Sequence, residues 1–175
     1  MAAEQPGRSA PPTPVHAEDE ALESLDPAYK SALRVSALLF WIPALIGALI
    51  GEAALSAKEV PVPFGLLASI VLVLGLVVVV RLPARRYRSR GYHMSRDALR
   101  VVRGIWWHSD TIVPFGRVQH IDVDQGPIER FFDIATLTLH TAGTHNASVQ
   151  LPGLKHKTAT AMREAIRARI KRDSL

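Results

Sequence analysis

Four of the chain's seven histidines, His108, His120, His140 and His145, stand with Asp122 and Asp124 as the side chains best suited by type to hold a metal. His120, Asp122 and Asp124 alternate, so on a strand they share one face but spread along a line at about 3.3 Å per residue. A zinc site needs donors converging to about 2.0–2.2 Å from one point. One strand cannot supply that convergence, so solvent-facing strand residues without a metal are expected. Ser95, Ser109 and Ser148 could serve as nucleophiles, yet none sits in a nucleophile elbow, and the chain lacks a phosphate-cradling glycine loop and a paired His-Glu helix motif. Cysteine is absent, which removes disulfides, thiolate nucleophiles and cysteine-based metal sites together. No catalytic residue, metal or cofactor is expected.

The distribution of apolar residues identifies the elements that must position these side chains. Residues 1–29 carry Pro6, Pro11, Pro12 and Pro14 and the acidic run Glu18, Asp19 and Glu20, with few large apolar groups. Such a segment buries too little to offset its ordering entropy, so a disordered cytoplasmic tail is expected. It has no basic region followed directly by an apolar stretch, and does not read as a cleavable signal peptide.

Residues 30–86 read as a membrane-spanning hairpin. Val35 to Gly51 is continuously apolar or small, extending to Leu55 if Glu52 lies near the far headgroups. Val62 to Val80 is a second such run without a charge. About 20 helical residues span the hydrocarbon layer, so helices over 35–55 and 62–80 fit it, and the chain has too little polar surface left to cover two such helices in a soluble core. Pro43 falls inside the first run, where membrane helices tolerate a kink. Gly47 and Gly51, and Gly65 and Gly75, permit close helix approach, within one hairpin or between copies.

The net charge of +5 is unevenly placed. Arg81, Arg85, Arg86, Arg88 and Arg90 follow the second run, and Lys30 and Arg34 precede the first. By the positive-inside bias both termini are cytoplasmic. The same arginines are candidate contacts to an anionic leaflet, a nearer partner for them than nucleic acid.

Residues 87–172 change period. Tyr92, Met94, Leu99, Val101, Val118, Ile121 and Val123 alternate with polar neighbours, and breaks recur at Gly104, Pro114 to Gly116, Gly126 to Pro127, Gly143 to Asn146 and Pro152 to Gly153. Short strands at this spacing predict a bent antiparallel sandwich or barrel. Ala161, Met162, Ala165, Ile166, Arg169 and Ile170 then recur at helical spacing, predicting an amphipathic C-terminal helix.

More specific are Ile112-Val113-Pro114, Arg117 to Ile121, Gly126 to Phe132, and Leu137 through Gly143. This succession, behind a transmembrane pair, resembles the membrane-anchored, YdbS-like bacterial pleckstrin-homology family. The resemblance runs from about Lys30 to Ile170. It implies a pleckstrin-homology-like domain on a two-helix hairpin in the inner membrane, with Pro114, Gln119, Gly126, Pro127, Arg130 and Gly143 as structural motif residues. Asp133 stands where the family tends to have glycine, and an Asp can take the same left-handed geometry.

Arg130 has a second reading, as part of an interaction surface with Trp106 and Trp107. Adjacent tryptophans on a hairpin are expected to point to opposite faces, so that either one packs inward while the other stays exposed to a partner or a lipid interface, or both cover the end of the barrel. The chain is thus expected to be a non-enzymatic protein-interaction or scaffolding module whose partners are the bilayer and another membrane protein, of the same family or as a homo-oligomer. Anionic-lipid binding or envelope-stress sensing is the alternative, and membrane enzymology a more distant one.

Overall fold

Two continuous helices carry the apolar runs: α1 (Ala28–Ala57) and α2 (Leu66–Arg88). They belong to a computed structural model that describes residues 21–58, 63–142 and 148–173. α1 has 30 residues, about 45 Å of helix at 1.5 Å each, some ten residues more than a bilayer core requires. Leu39, Phe40, Ile50, Leu72 and Leu76 lie exposed along the pair. Apolar surface on this scale needs lipid as its solvent.

Pro43 lies within α1 without ending it. Trp41 packs on α2 at Gly75, where a Cβ would come within 3.2 Å of the indole. At Gly47 and Gly51 a Cβ would meet nothing within 4 Å, so that pair is not what brings the helices of the hairpin together. Glu52 lies at the turn end of the hairpin, turned inward against the start of α2. It is 2% exposed, and one carboxylate oxygen accepts the backbone N–H of Leu67. The first N–H groups of a helix lack intrahelical partners, and a carboxylate satisfies both one of them and the positive end of the dipole.

The domain has two antiparallel sheets. The first, in the order β1-β2-β3-β4, comprises β1 (Glu23–Ser24), β2 (Arg90–Met94), β3 (Ala98–Arg103) and β4 (Ser109–Pro114). The second, in the order β5-β6-β7, comprises β5 (Val118–Asp124), β6 (Ile134–Thr141) and β7 (Ser148–Lys155). A 3-10 turn at Phe115–Arg117 links the sheets, a short helix α3 (Pro127–Phe131) links β5 to β6, and α4 (His156–Asp173) follows β7. The alternating apolar residues face inward: Leu99, Val101, Leu137, Leu139 and Leu151 are buried with Phe115, and Ile166 of α4 closes the core.

β1 corrects the expected boundary of the tail. Residues 1–20 lie outside the described ones, but Glu23 pairs with Tyr92 and Ser24 with Gly91, and Leu25, Tyr29 and Ala32 are buried in the domain core. Pairing and burial across the hairpin supply what local composition could not. The helices also run past their expected limits, to Ala28 and Arg88, because their ends pack on the domain instead of ending at the lipid. α2 begins at Leu66, and residues 59–62 lie outside the described ones.

Candidate functional site

The register gives the domain a near end and a far end relative to the hairpin. β2 leaves α2, β3 returns antiparallel with Arg103 opposite Arg90, and the β3–β4 turn therefore lies at the near end. Gly104 N–H donates to the Ser89 carbonyl at 3.0 Å, at the end of α2. The start of β6 is opposite the end of β7, with Ile134 paired to Lys155, and both are near, while the β2–β3 turn and the last turns of α4 are far.

At the near end the hairpin is stitched to the domain. Tyr87 Oη donates to the Leu25 carbonyl at 3.0 Å, and Arg90 Nη1 donates to Tyr29 Oη at 2.8 Å. Lys30 Nζ lies 4.5 Å from the centre of the Tyr87 ring. Asp26 Oδ1 accepts the Ala28 N–H at 2.8 Å, opening α1, and the Asp26 N–H donates to the Gly153 carbonyl at 2.8 Å. Gly153 has φ +75°, and a Cβ there would stand 2.5 Å from the Tyr29 ring. Arg90 thus holds Tyr29 and is not a free membrane contact as expected, whereas Arg81, Arg85, Arg86 and Arg88 are exposed and form no ion pair with any described residue.

The β3–β4 turn departs from expectation. Trp106 is 85% and Trp107 88% exposed, so neither packs inward. The reason is Gly104: a Cβ there would meet the Trp107 carbonyl at 2.7 Å and His108 Cα at 2.8 Å. The turn folds tightly on its own backbone and leaves no cavity for an indole.

α3 lies beside the first turns of α1, across a cleft lined by Tyr29, Leu33, Ser36, Pro127 and Ile128. Gly126 is its N-cap and Pro127 its first residue. Glu129 is the structural acid, accepting the Gly126 N–H at 2.8 Å and the Thr136 hydroxyl at 2.9 Å. Arg130 is exposed, and its side chain bonds to no described residue. Phe132 packs on the core while Phe131 is 83% exposed, one in and one out. Asp133 adopts φ 53°, the left-handed geometry expected of it. Pro114 ends β4, Gln119 is exposed beside the irregularity in β5, and Gly143 and His145 lie outside the described residues.

Among the candidate metal ligands, β6 adds what β5 lacks. His140 is paired with His120, and the Asp122 carboxylate stands between them, 3.2 Å from His140 Nε2 and 3.8 Å from His120 Nε2. The expected line of ligands is therefore a three-membered cross-strand cluster. No group with metal-binding geometry occurs among the described residues, and Asp124 and His108 are exposed elsewhere. Ser95 bonds both backbone groups of Ala98, and Ser109 lies 3.4 Å from Thr111 Oγ1, so both hydroxyls shape turns and edges.

The far end holds residues that sequence reasoning missed. Arg96, Asp97, Arg169 and Arg172 line a cleft of about 400 Å³. Arg169 Nη1 donates to the carbonyls of Ser95 and Arg96 at 2.7 and 2.5 Å, and its guanidinium lies over Phe115 at 5.7 Å. Arg96 and Arg172 are exposed and unpaired with any described residue. Arg169 falling in the inward helical register was the available signal, since a cation on that stripe must find acceptors.

Residues 36–170 match the family described as bacterial PH domain. The chain is 30% identical over 102 residues to the UPF0699 transmembrane protein YdbS of Bacillus subtilis (strain 168), covering 58% of this chain and 62% of that protein. Among solved structures it is similar to a DUF1696-family protein with a pleckstrin-homology domain from Shewanella loihica PV-4, with a TM-score of 0.38 and 17% identity, covering 49% of this chain and 74% of that one.

Proposed function

Because this chain belongs to the bacterial PH domain family, we propose that it is a membrane-tethered, non-catalytic interaction module. In this reading the hairpin crosses the inner membrane with both ends cytoplasmic, and holds the PH-like domain in one pose for a second membrane protein. The observation that carries it is the pairing of β1 with β2 across the hairpin. Two helix ends bonded into one sheet do not swing as a flexible tether would, and a fixed pose matters when the task is to present a surface. The far-end cleft with Arg96 and Arg172 is that surface, suited to an acidic segment because arginine forms bidentate bonds to carboxylates.

Photo-crosslinking in cells from probes replacing Arg96 and Arg172 tests this. A discrete protein adduct is expected from the far end. If controls cross-link their neighbours and these probes capture no specific protein, the scaffold reading fails. A second reading, attachment to anionic lipid, is favoured at the near end by the exposed Arg81, Arg85, Arg86, Arg88 and Arg130, which form no ion pair with any described residue. Each such cation contributes about 1 kcal/mol close to an anionic surface, less at high salt.

A further inference from the structure

We propose that the β3–β4 turn, Ile105 to Trp107, is a lipid-binding wedge seated in the headgroup layer of the same bilayer that the hairpin spans. Two adjacent tryptophans exposed at 85% and 88% are costly in water, and indole is the side chain most at home where an apolar body and a wet N–H are both accommodated, at the membrane interface. Ile105 is also exposed, so the tip presents three consecutive large apolar side chains that the domain itself does not cover.

Position and reach favour lipid over a protein partner. The apolar run of α2 ends at Val80, and eight further residues to Arg88 rise about 12 Å above the hydrocarbon edge. The Gly104–Ser89 hydrogen bond fixes the base of the turn at that height. From there, two residues return at most about 7 Å toward the bilayer, so the backbone of the tip stands at least about 5 Å from the hydrocarbon edge and the indoles cover the rest. The headgroup layer is about 5–8 Å thick on each side. The exposed Arg85 and Arg88 on the same helix end supply the positive charge that accompanies an aromatic at an anionic surface. Phe131, 83% exposed next to Arg130 on α3, offers a second apolar contact beside α1. The wedge depends on the hairpin lying in a bilayer and not on any partner at the far end, so failure of one leaves the other standing.

The test uses the full chain in lipid nanodiscs of phosphatidylcholine and phosphatidylglycerol. With Trp41→Phe, fluorescence reports only Trp106 and Trp107, because the chain has three tryptophans. The expected result is blue-shifted emission quenched more strongly by lipids brominated near the headgroup end of the acyl chain than by lipids brominated near its tail. Should Trp41→Phe not fold, the same quantity is the difference between the wild type and Trp106→Phe/Trp107→Phe. Emission of fully hydrated indole, unquenched by either lipid, overturns the proposal. So does blue-shifted but unquenched emission, which would mean that protein covers the turn.

Discussion

The two ends of the domain solve opposite problems with the same residue types. Near the hairpin, tyrosine and arginine are turned on each other: Arg90 bonds Tyr29, and Tyr87 bonds the chain at Leu25. At the far end Arg169 is tied to two carbonyls, but Arg96 and Arg172 beside it are left to solvent. At the near end the tyrosines and Arg90 serve rigidity beside arginines left exposed, and at the far end one arginine of the cleft is tied while two are exposed. The difference teaches that a basic residue in this chain cannot be assigned from its neighbours in sequence. Arg88 and Arg90 are two positions apart, yet one is exposed and the other holds a tyrosine.

That contrast can be broken most sharply at Gly153. Gly153→Ala forces a side chain into the left-handed region and against Tyr29, and should cost about 2–4 kcal/mol, combining backbone strain with overpacking. Thermal unfolding of the full chain in nanodiscs reads it. A cost below about 0.5 kcal/mol, the range of an ordinary surface change, would show the near end to be loose. Removing single hydroxyls is a milder probe: Tyr87→Phe should cost about 0.5–1.5 kcal/mol, the usual net worth of one hydrogen bond. A double-mutant cycle between Tyr29→Phe and Arg90→Ala should return a coupling energy of at least about 0.5 kcal/mol if the pair acts as a unit.

The far end should behave differently. Arg96→Ala with Arg172→Ala is expected to change stability by no more than about 0.5 kcal/mol while abolishing the far-end protein adduct, and a large loss of stability would erase the distinction between the ends. An effect of similarly small size belongs to Arg100 and Asp110, a partly exposed pair on the outer face of β3 and β4, with Arg100 Nη2 2.6 Å from Asp110 Oδ2. Hydrogen bonding from Arg100 holds the Asp110 carboxyl below its ordinary value. Its stabilisation, about 0.2–1 kcal/mol for a pair of this kind, is therefore present above the unfolded-state value and lost as pH falls through the lowered folded one. The stability gap between wild type and Arg100→Ala should shrink on acidification. A gap that widens would assign the effect to other groups.

Much of this architecture was legible because it is written in periodicity. Two long apolar runs and the alternation from Tyr92 onward needed no tertiary information, and the succession around Gly126 to Phe132 pointed to the family. What escaped was long-range. Glu23 and Ser24 look like tail until Tyr92 and Gly91 pair with them, 69 and 67 positions later. Nothing local to Glu52 announces its partner, the start of α2, fifteen positions later. Trp106 and Trp107 alternate as strand residues would, and only the crowding around Gly104 turns both outward.

The placement of β1 before the hairpin also sets an order of assembly. Glu23–Ser24 leaves the ribosome before either membrane helix, yet its partner strand is synthesised only after both. The first sheet and the core around Leu25 and Tyr29 can close only once the helices are inserted and their ends have met on one side. Contacts of such sequence separation form late. A hairpin whose two ends lay on opposite sides of a bilayer could not complete this sheet, because β1 and β2 would be separated by it.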